Sequence, residues 1–135
     1  MATLLLVEDD PTNARVLSRI LEKRGGYTVQ HCEDVATILS VCASGAIALV
    51  LLDISLAHST YQGRQLNGIE IAQLLRQNPQ TAQLPIVLLT AHAMIGDRDQ
   101  FLQASQADAY IVKPVLDYDA FLQLIQQLQA VPRSV

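Results

Sequence analysis

Residues 46–53 read Ala46-Ile47-Ala48-Leu49-Val50-Leu51-Leu52-Asp53, an unbroken apolar run that ends on an acid. Gly45 precedes the run and a polar segment follows it. A short continuous apolar run bounded in this way is the pattern of a strand buried on both faces, as in a parallel sheet covered by helices. An acid on the last residue of such a strand escapes burial by emerging at the strand's carboxyl edge. In open α/β sheets, ligands bind at that edge.

Four more strands of the same kind flank this one. Leu4-Leu5-Leu6-Val7 ends in Glu8-Asp9, Tyr27 to Gln30 is short, Ile86-Val87-Leu88-Leu89 ends in Thr90, and Ala109-Tyr110-Ile111-Val112 ends in Lys113-Pro114. A helical pattern follows each strand. Asp10-Pro11 opens the first helix, whose apolar face is Val16, Leu17, Ile20 and Leu21, and Gly25-Gly26 stops it. Glu33 or Asp34 opens the second, and Asn67 the third, which Asn78-Pro79 ends. The fourth covers roughly Gly96 to Ser105, and Asp117 or Asp119 opens the fifth. Five strand–helix pairs predict an α/β fold: a five-stranded parallel sheet of order 2-1-3-4-5, flavodoxin-like and doubly wound in three layers. Residues 1–131 form one domain and 132–135 a short tail.

Composition agrees with that frame. The chain has 135 residues, 50% hydrophobic and 16% charged, with no Trp, so it is globular with an aliphatic core. A net charge of −4, and the absence of any Lys/Arg cluster, argue against direct nucleic-acid binding. No apolar stretch is long enough to span a membrane, and Met1-Ala2-Thr3 does not begin a secretion signal. Cys32 and Cys42 lack metal-site or redox spacing and fit free thiols in a reducing cytoplasm.

All strand ends of a parallel sheet share one edge, so Glu8, Asp9, Asp53, Thr90 and Lys113 should gather around one shallow cleft. The first and third strands are neighbours in this order, which brings Asp9 and Asp53 together. Clustered carboxylates without thiols or imidazoles make a hard-oxygen site suited to Mg²⁺, with Mn²⁺ able to substitute. A like-charge pair near 4 Å costs about 1 kcal/mol in water and about 4 at an effective dielectric of 20, so the arrangement implies a cation. Mg²⁺, Lys113 and Thr90 could surround the oxygens of a transferring phosphoryl group, with Asp53 as nucleophile. Asp10, followed by Pro11, reads as a helix cap instead of a ligand.

The segments Leu5-Leu6-Val7-Glu8-Asp9-Asp10-Pro11, Leu51-Leu52-Asp53-Ile54, Asn67-Gly68-Ile69-Glu70, Pro85-Ile86-Val87-Leu88-Leu89-Thr90-Ala91 and Ala109-Tyr110-Ile111-Val112-Lys113-Pro114 carry a resemblance. Over essentially its full length the chain resembles a response-regulator receiver domain of two-component signalling, of the stand-alone, cytoplasmic type. The resemblance implies that Asp53 accepts a phosphoryl group from a histidine kinase or phosphotransfer protein. It implies that Asp9 and Asp53 hold Mg²⁺, with Glu8 acting through a water and the Ser55 backbone carbonyl as a further ligand. It also implies that Lys113 pairs with the phosphoryl group and that Thr90 and Tyr110 move together as the switch. The Lys113-Pro114 bond is expected to be cis. Ser55 and His92 would flank the hydrolytic water. The output would be contact with a downstream protein target, from a monomer or a phosphorylation-dependent homodimer. The chain would not be an enzyme on an external substrate.

The chain departs from the pattern after Asp53. Ile54 to Asn67 spans 14 residues, and His58 to Gln65 looks inserted. Such a long loop either contacts the kinase or shields the phosphoryl site, or it is a mobile surface loop. Two rival functions remain at this level. One is a Mg²⁺-dependent phosphohydrolase with an aspartyl intermediate, which Ser55 and the lack of a cap domain disfavour. The other is a receiver-like binding module that is never phosphorylated, which the intact acid–Thr–Lys set disfavours.

Overall fold

The computed structural model describes residues 2–56, 59–91 and 97–130. His92, the start of the fourth helix at Gly96 and the tail therefore lie outside the described residues, as do Ala57 and His58.

Strands β1 (Thr3–Val7), β2 (Thr28–His31), β3 (Leu49–Asp53), β6 (Ile86–Thr90) and β7 (Ala109–Val112) form one sheet of order β2-β1-β3-β6-β7. Every pairing in it is parallel. This is the doubly wound order read from the sequence, with β4 (Thr60–Tyr61) and β5 (Arg64–Gln65) set apart in the segment after Asp53. The strands β3 and β6 are buried along their whole length. That is why they read as unbroken apolar runs: helices cover both faces and no residue points to water.

Successive side chains of a strand point to opposite faces, and here they divide the core into two layers. Leu4, Leu6, Leu49, Leu51, Val87 and Leu89 pack with Leu17, Ile20 and Leu21 of α1 (Pro11–Arg19 and its continuation) and with Phe121 and Ile125 of α5 (Tyr118–Ala130). On the other face, Leu5, Val7, Val50, Leu52 and Leu88 pack with α2 (Val35–Ala43) and α3 (Gly68–Gln77). Phe101 of α4 (Asp97–Ser105) joins that layer.

Caps explain where the helices begin. The Asp10 carboxylate accepts from Thr12 N at 2.9 Å, with Pro11 in the first turn. Asp34 caps α2 by accepting from Thr37 N at 2.9 Å, and Asp117 accepts from Ala120 N at 3.0 Å at the start of α5. These contacts decide the alternatives left open at Glu33 and Asp119. Asn67 and Glu70 form a reciprocal capping box at the start of α3, with bonds of 2.9 and 3.1 Å.

Two features differ from the sequence reading. The first helix does not stay α-helical to the glycines, because Ile20–Arg24 is a π-helical turn. Gly25 N donates to Ile20 O at 3.3 Å across five residues. The second difference is the segment after Asp53, which contains a hairpin. Thr60–Tyr61 (β4) and Arg64–Gln65 (β5) pair antiparallel through Gln62 and Gly63, both at positive φ (52° and 78°). Two consecutive left-handed residues make the tight turn that matches strand twist. Leu56, Ser59 and Leu66 are buried, so the base of the hairpin packs against the core.

Candidate functional site

Strand register assembles the site. Val7 lies opposite Leu52, so the next residues, Glu8 and Asp53, leave the sheet side by side. Thr90 lies opposite Val112, so Lys113 follows at the same edge. The ladder continues past the strand ends: Ile54 N donates to Leu89 O at 2.9 Å and Lys113 N to Thr90 O at 2.7 Å. The Lys113-Pro114 peptide is cis.

Glu8 is fully buried and Asp53 is 2% exposed. Two buried carboxylates need compensation, and Lys113 supplies it. Its Nζ donates to Glu8 Oε1 at 2.8 Å and to Asp53 Oδ2 at 3.1 Å. Backbone amides take other lone pairs: Ser55 N donates to Asp53 Oδ1 at 3.1 Å and Asp10 N to Glu8 Oε2 at 3.3 Å. Burial first, and then the neighbouring Asp53, push the Glu8 carboxyl above its ordinary range against the opposing pull of Lys113. Burial alone would lower the Lys113 ammonium; its bonds to Glu8 and Asp53 outweigh burial and leave it raised.

Glu8, Asp9 and Asp53 each offer an oxygen, and the three atoms lie within 4.8 Å of one another. An all-oxygen donor set at an open strand edge suits a hard divalent cation, so these residues fit Mg²⁺. Thr90 is fully buried at the end of β6. Tyr110 is half-buried and stacks on Phe101, with ring centroids 6.1 Å apart at 22°. Ser55 is exposed beside Asp53, and its amide is the group bonded to the acid.

One contact at the site was not read from the sequence. His31 Nε2 lies 2.5 Å from the backbone oxygen of Glu8, tying the end of β2 to the turn that carries the acids. Only the pairing of β2 with β1 reveals it, through the register Leu6↔His31.

An open, doubly wound parallel sheet binds its ligands outside the carboxyl ends of its strands, and that edge is where Glu8, Asp9, Asp53 and Lys113 gather here. The family model described as response regulator receiver domain matches residues 4–126, and the chain belongs to that family. It is 31% identical over 113 residues to the signal transduction histidine-protein kinase BarA of Escherichia coli, covering 84% of this chain and 11% of that protein. It is 31% identical over 128 residues to the response regulator Rre1 of Synechocystis, covering 95% of this chain and 52% of that protein. The chain thus spans from about a tenth to about half of these relatives. Among solved structures, it superposes on a putative response regulator from Chloroflexus aurantiacus with a TM-score of 0.81 and 26% identity, covering 96% and 98% of the two chains. It also matches the receiver domain of the sensor histidine kinase PA1611 from Pseudomonas aeruginosa, which holds a magnesium ion in its active site cleft. That TM-score is 0.79 at 27% identity, with 96% and 98% covered.

Proposed function

We propose that this domain is a phosphoacceptor in which Asp53 takes a phosphoryl group from a histidine kinase or phosphotransfer protein. The observation that carries the reading is the meeting of three carboxylate oxygens within 4.8 Å, one of them from Asp53, which Lys113 also reaches at 3.1 Å. An Asp53 carboxylate oxygen attacks phosphorus while the bond from phosphorus to the donor's imidazole nitrogen breaks, and the electron pair leaves on that nitrogen. Glu8, Asp9 and Asp53, with the Ser55 carbonyl, are the residues that would hold Mg²⁺. When bound, the ion offsets the combined negative charge of the acids and the phosphoryl oxygens.

The chain's own residues do the rest. Lys113 exchanges part of its hold on Asp53 for a phosphoryl oxygen, without losing Glu8. Phosphorylation adds about −1.5 to −2 charges and three strong acceptors, and the Thr90 hydroxyl turns to donate to one of them. Tyr110, stacked on Phe101 of α4, couples that turn to the surface that contacts a downstream protein, from a monomer or a phosphorylation-dependent dimer. Ser55, two residues past Asp53, and His92, two residues past Thr90 in the sequence, tune hydrolysis of the acyl phosphate, so turnover is limited to the domain's own phosphoryl group.

The test is incubation with acetyl phosphate and Mg²⁺ followed by intact mass. The expected result is a gain of one phosphoryl group that is lost in Asp53→Asn and without Mg²⁺. No gain, or a gain that survives in Asp53→Asn, overturns the reading.

A further inference from the structure

The hydrogen-bond ladder between β1 and β2 stops short of the acids, and a side chain takes over from it. Carbonyls at alternate positions along this edge point to β2. Ala2 O accepts from Thr28 N at 3.0 Å and Leu6 O from Cys32 N at 3.1 Å. Glu8 O is the next acceptor in that row, and at the same spacing its donor would be Asp34 N. But β2 ends at His31, and Asp34 has turned away to cap α2. His31, which pairs opposite Leu6, reaches forward along β1 instead and sets its Nε2 2.5 Å from Glu8 O. A carbonyl oxygen only accepts, so Nε2 carries the proton and donates it. Glu33 Oε1 lies 3.8 Å from the same nitrogen, beyond hydrogen-bond range, so the carbonyl is what holds the ring there.

The peptide held in this way joins Glu8 to Asp9, two of the three acids whose oxygens meet within 4.8 Å. The Glu8 carboxylate has its own supports, Lys113 Nζ at 2.8 Å and Asp10 N at 3.3 Å, and Asp53 has Lys113 and Ser55 N. Those bonds fix side chains. The His31 bond fixes a peptide plane. Because the peptide is planar, any turn of the Glu8 carbonyl carries the Asp9 N and Cα with it, and so redirects the Asp9 side chain.

We propose that His31 is a positioning residue for the divalent cation: it holds the Glu8–Asp9 peptide so that both acids present their oxygens to Mg²⁺ together. The inference rests on the metal site proposed above. Mg²⁺ is the ion for which such a hold matters most. It demands near-octahedral geometry at about 2.0–2.1 Å, whereas Ca²⁺ accepts about 2.3–2.6 Å and irregular shells. A carboxylate that drifts by a few tenths of an ångström is lost to Mg²⁺ and still serves Ca²⁺. His31 therefore favours the smaller ion as well as strengthening its binding, and it acts only through the Glu8 backbone.

The test is calorimetric titration of the full chain with Mg²⁺ and, separately, with Ca²⁺. His31→Leu should weaken Mg²⁺ binding about tenfold and Ca²⁺ binding by less, which lowers the ratio of the two affinities. His31→Gln should bind as wild type, since its side-chain amide nitrogen can donate to the same carbonyl. His31→Asn, one carbon shorter, should behave as His31→Leu, and it carries the test if the leucine variant does not fold. In phosphorylation by acetyl phosphate, the Mg²⁺ concentration that gives half the maximal rate should rise by the same factor in His31→Leu. Equal weakening of Mg²⁺ and Ca²⁺ overturns the proposal, because a general loss of structure would do the same. So does a glutamine variant as weak as the leucine one. A wild type that binds no Mg²⁺ overturns the metal site and this inference with it. A wild type that binds Mg²⁺ no better than His31→Leu and His31→Asn overturns this inference alone.

Discussion

Gly68 is the position where the fold leaves least room for the site, and Gly68→Ala measures that constraint. A Cβ built there falls 2.1 Å from the backbone oxygen of Asp53, 2.8 Å from its carbonyl carbon and 2.9 Å from Ile54 Cα. Ordinary contact begins at 3.4 Å, so the closest approach is short by about 1.3 Å. The obstructing atoms are backbone and cannot rotate aside. Either α3 or the end of β3 must move by about an ångström, straining the bond from Gly68 N to Ile54 O (2.9 Å). Overpacking costs about 1–3 kcal/mol, and a backbone-on-backbone clash belongs at the upper end. Alanine regains at most about 1 kcal/mol of helix propensity, which leaves a net loss of about 2 kcal/mol. At roughly 3 °C per kcal/mol, Tm should fall by about 6 °C. Urea unfolding followed by circular dichroism reads the loss directly. Because the displaced atoms belong to Asp53, phosphorylation by acetyl phosphate should slow in the folded variant. Gly63→Ala is the contrast: its φ of +78° carries strain but nothing lies within 4 Å. It should cost about 1 kcal/mol and leave phosphorylation unchanged. A Gly68→Ala protein as stable and as reactive as wild type would refute the close-packing argument.

The remaining expectations concern charge and anchoring. Without Mg²⁺, Asp9→Asn should melt above wild type, because it removes one member of the like-charged set within 4.8 Å. Mg²⁺ should raise the wild-type Tm and narrow that gap, and a Tm indifferent to both would mean that the acids do not repel. Glu8 holds its proton to higher pH folded than unfolded, so its ionisation as pH rises above the ordinary value of 4.5 subtracts stability. In metal-free melts, the Tm of Glu8→Gln should therefore gain on wild type as pH rises from 4.5 to neutral; a constant or shrinking difference contradicts the assignment. Arg76→Met should cost about 3 kcal/mol or more in urea unfolding. It removes the cation from Asp108, whose Oδ2 accepts from Arg76 Nη2 at 3.0 Å and keeps the neutral donor Ile86 N (2.9 Å), and it removes a bond to Leu84 O at 2.6 Å. Deleting Ser59 to Arg64 should lower Tm by several degrees, since the buried Ser59 hydroxyl donates to Glu33 O at 2.8 Å. An unchanged Tm would mean that the hairpin is only an appendage.

The order of five strand–helix pairs was legible because burial on both faces leaves an unmistakable trace, the unbroken runs at 49–52 and 86–89. The acids and Lys113 were legible because each follows such a run directly, and a parallel sheet sends all of those ends to one edge. Asp10, Asn67 and the stop at Asn78 were legible because caps act through bonds to residues two or three positions away. Local chemistry of this kind is written in the sequence.

Tertiary packing decided the rest. The sequence places Glu8 in the acid cluster at the sheet edge but does not show its burial, and only the approach of Lys113 across 105 residues makes that complete burial tolerable. The hairpin after Asp53 carries no strong apolar alternation, because its strands are two residues each and its register comes from the Gln62–Gly63 turn and from Ser59 and Leu66 seated against the core. The π-turn has no propensity signal either. It forms where α1 meets the sheet and α5, and it changes which residues share a face. The sequence by itself determined which side chains reach the carboxyl edge, since period and length suffice for that. Only the fold decided which charges are compensated there, because compensation depends on distances between residues far apart in the chain.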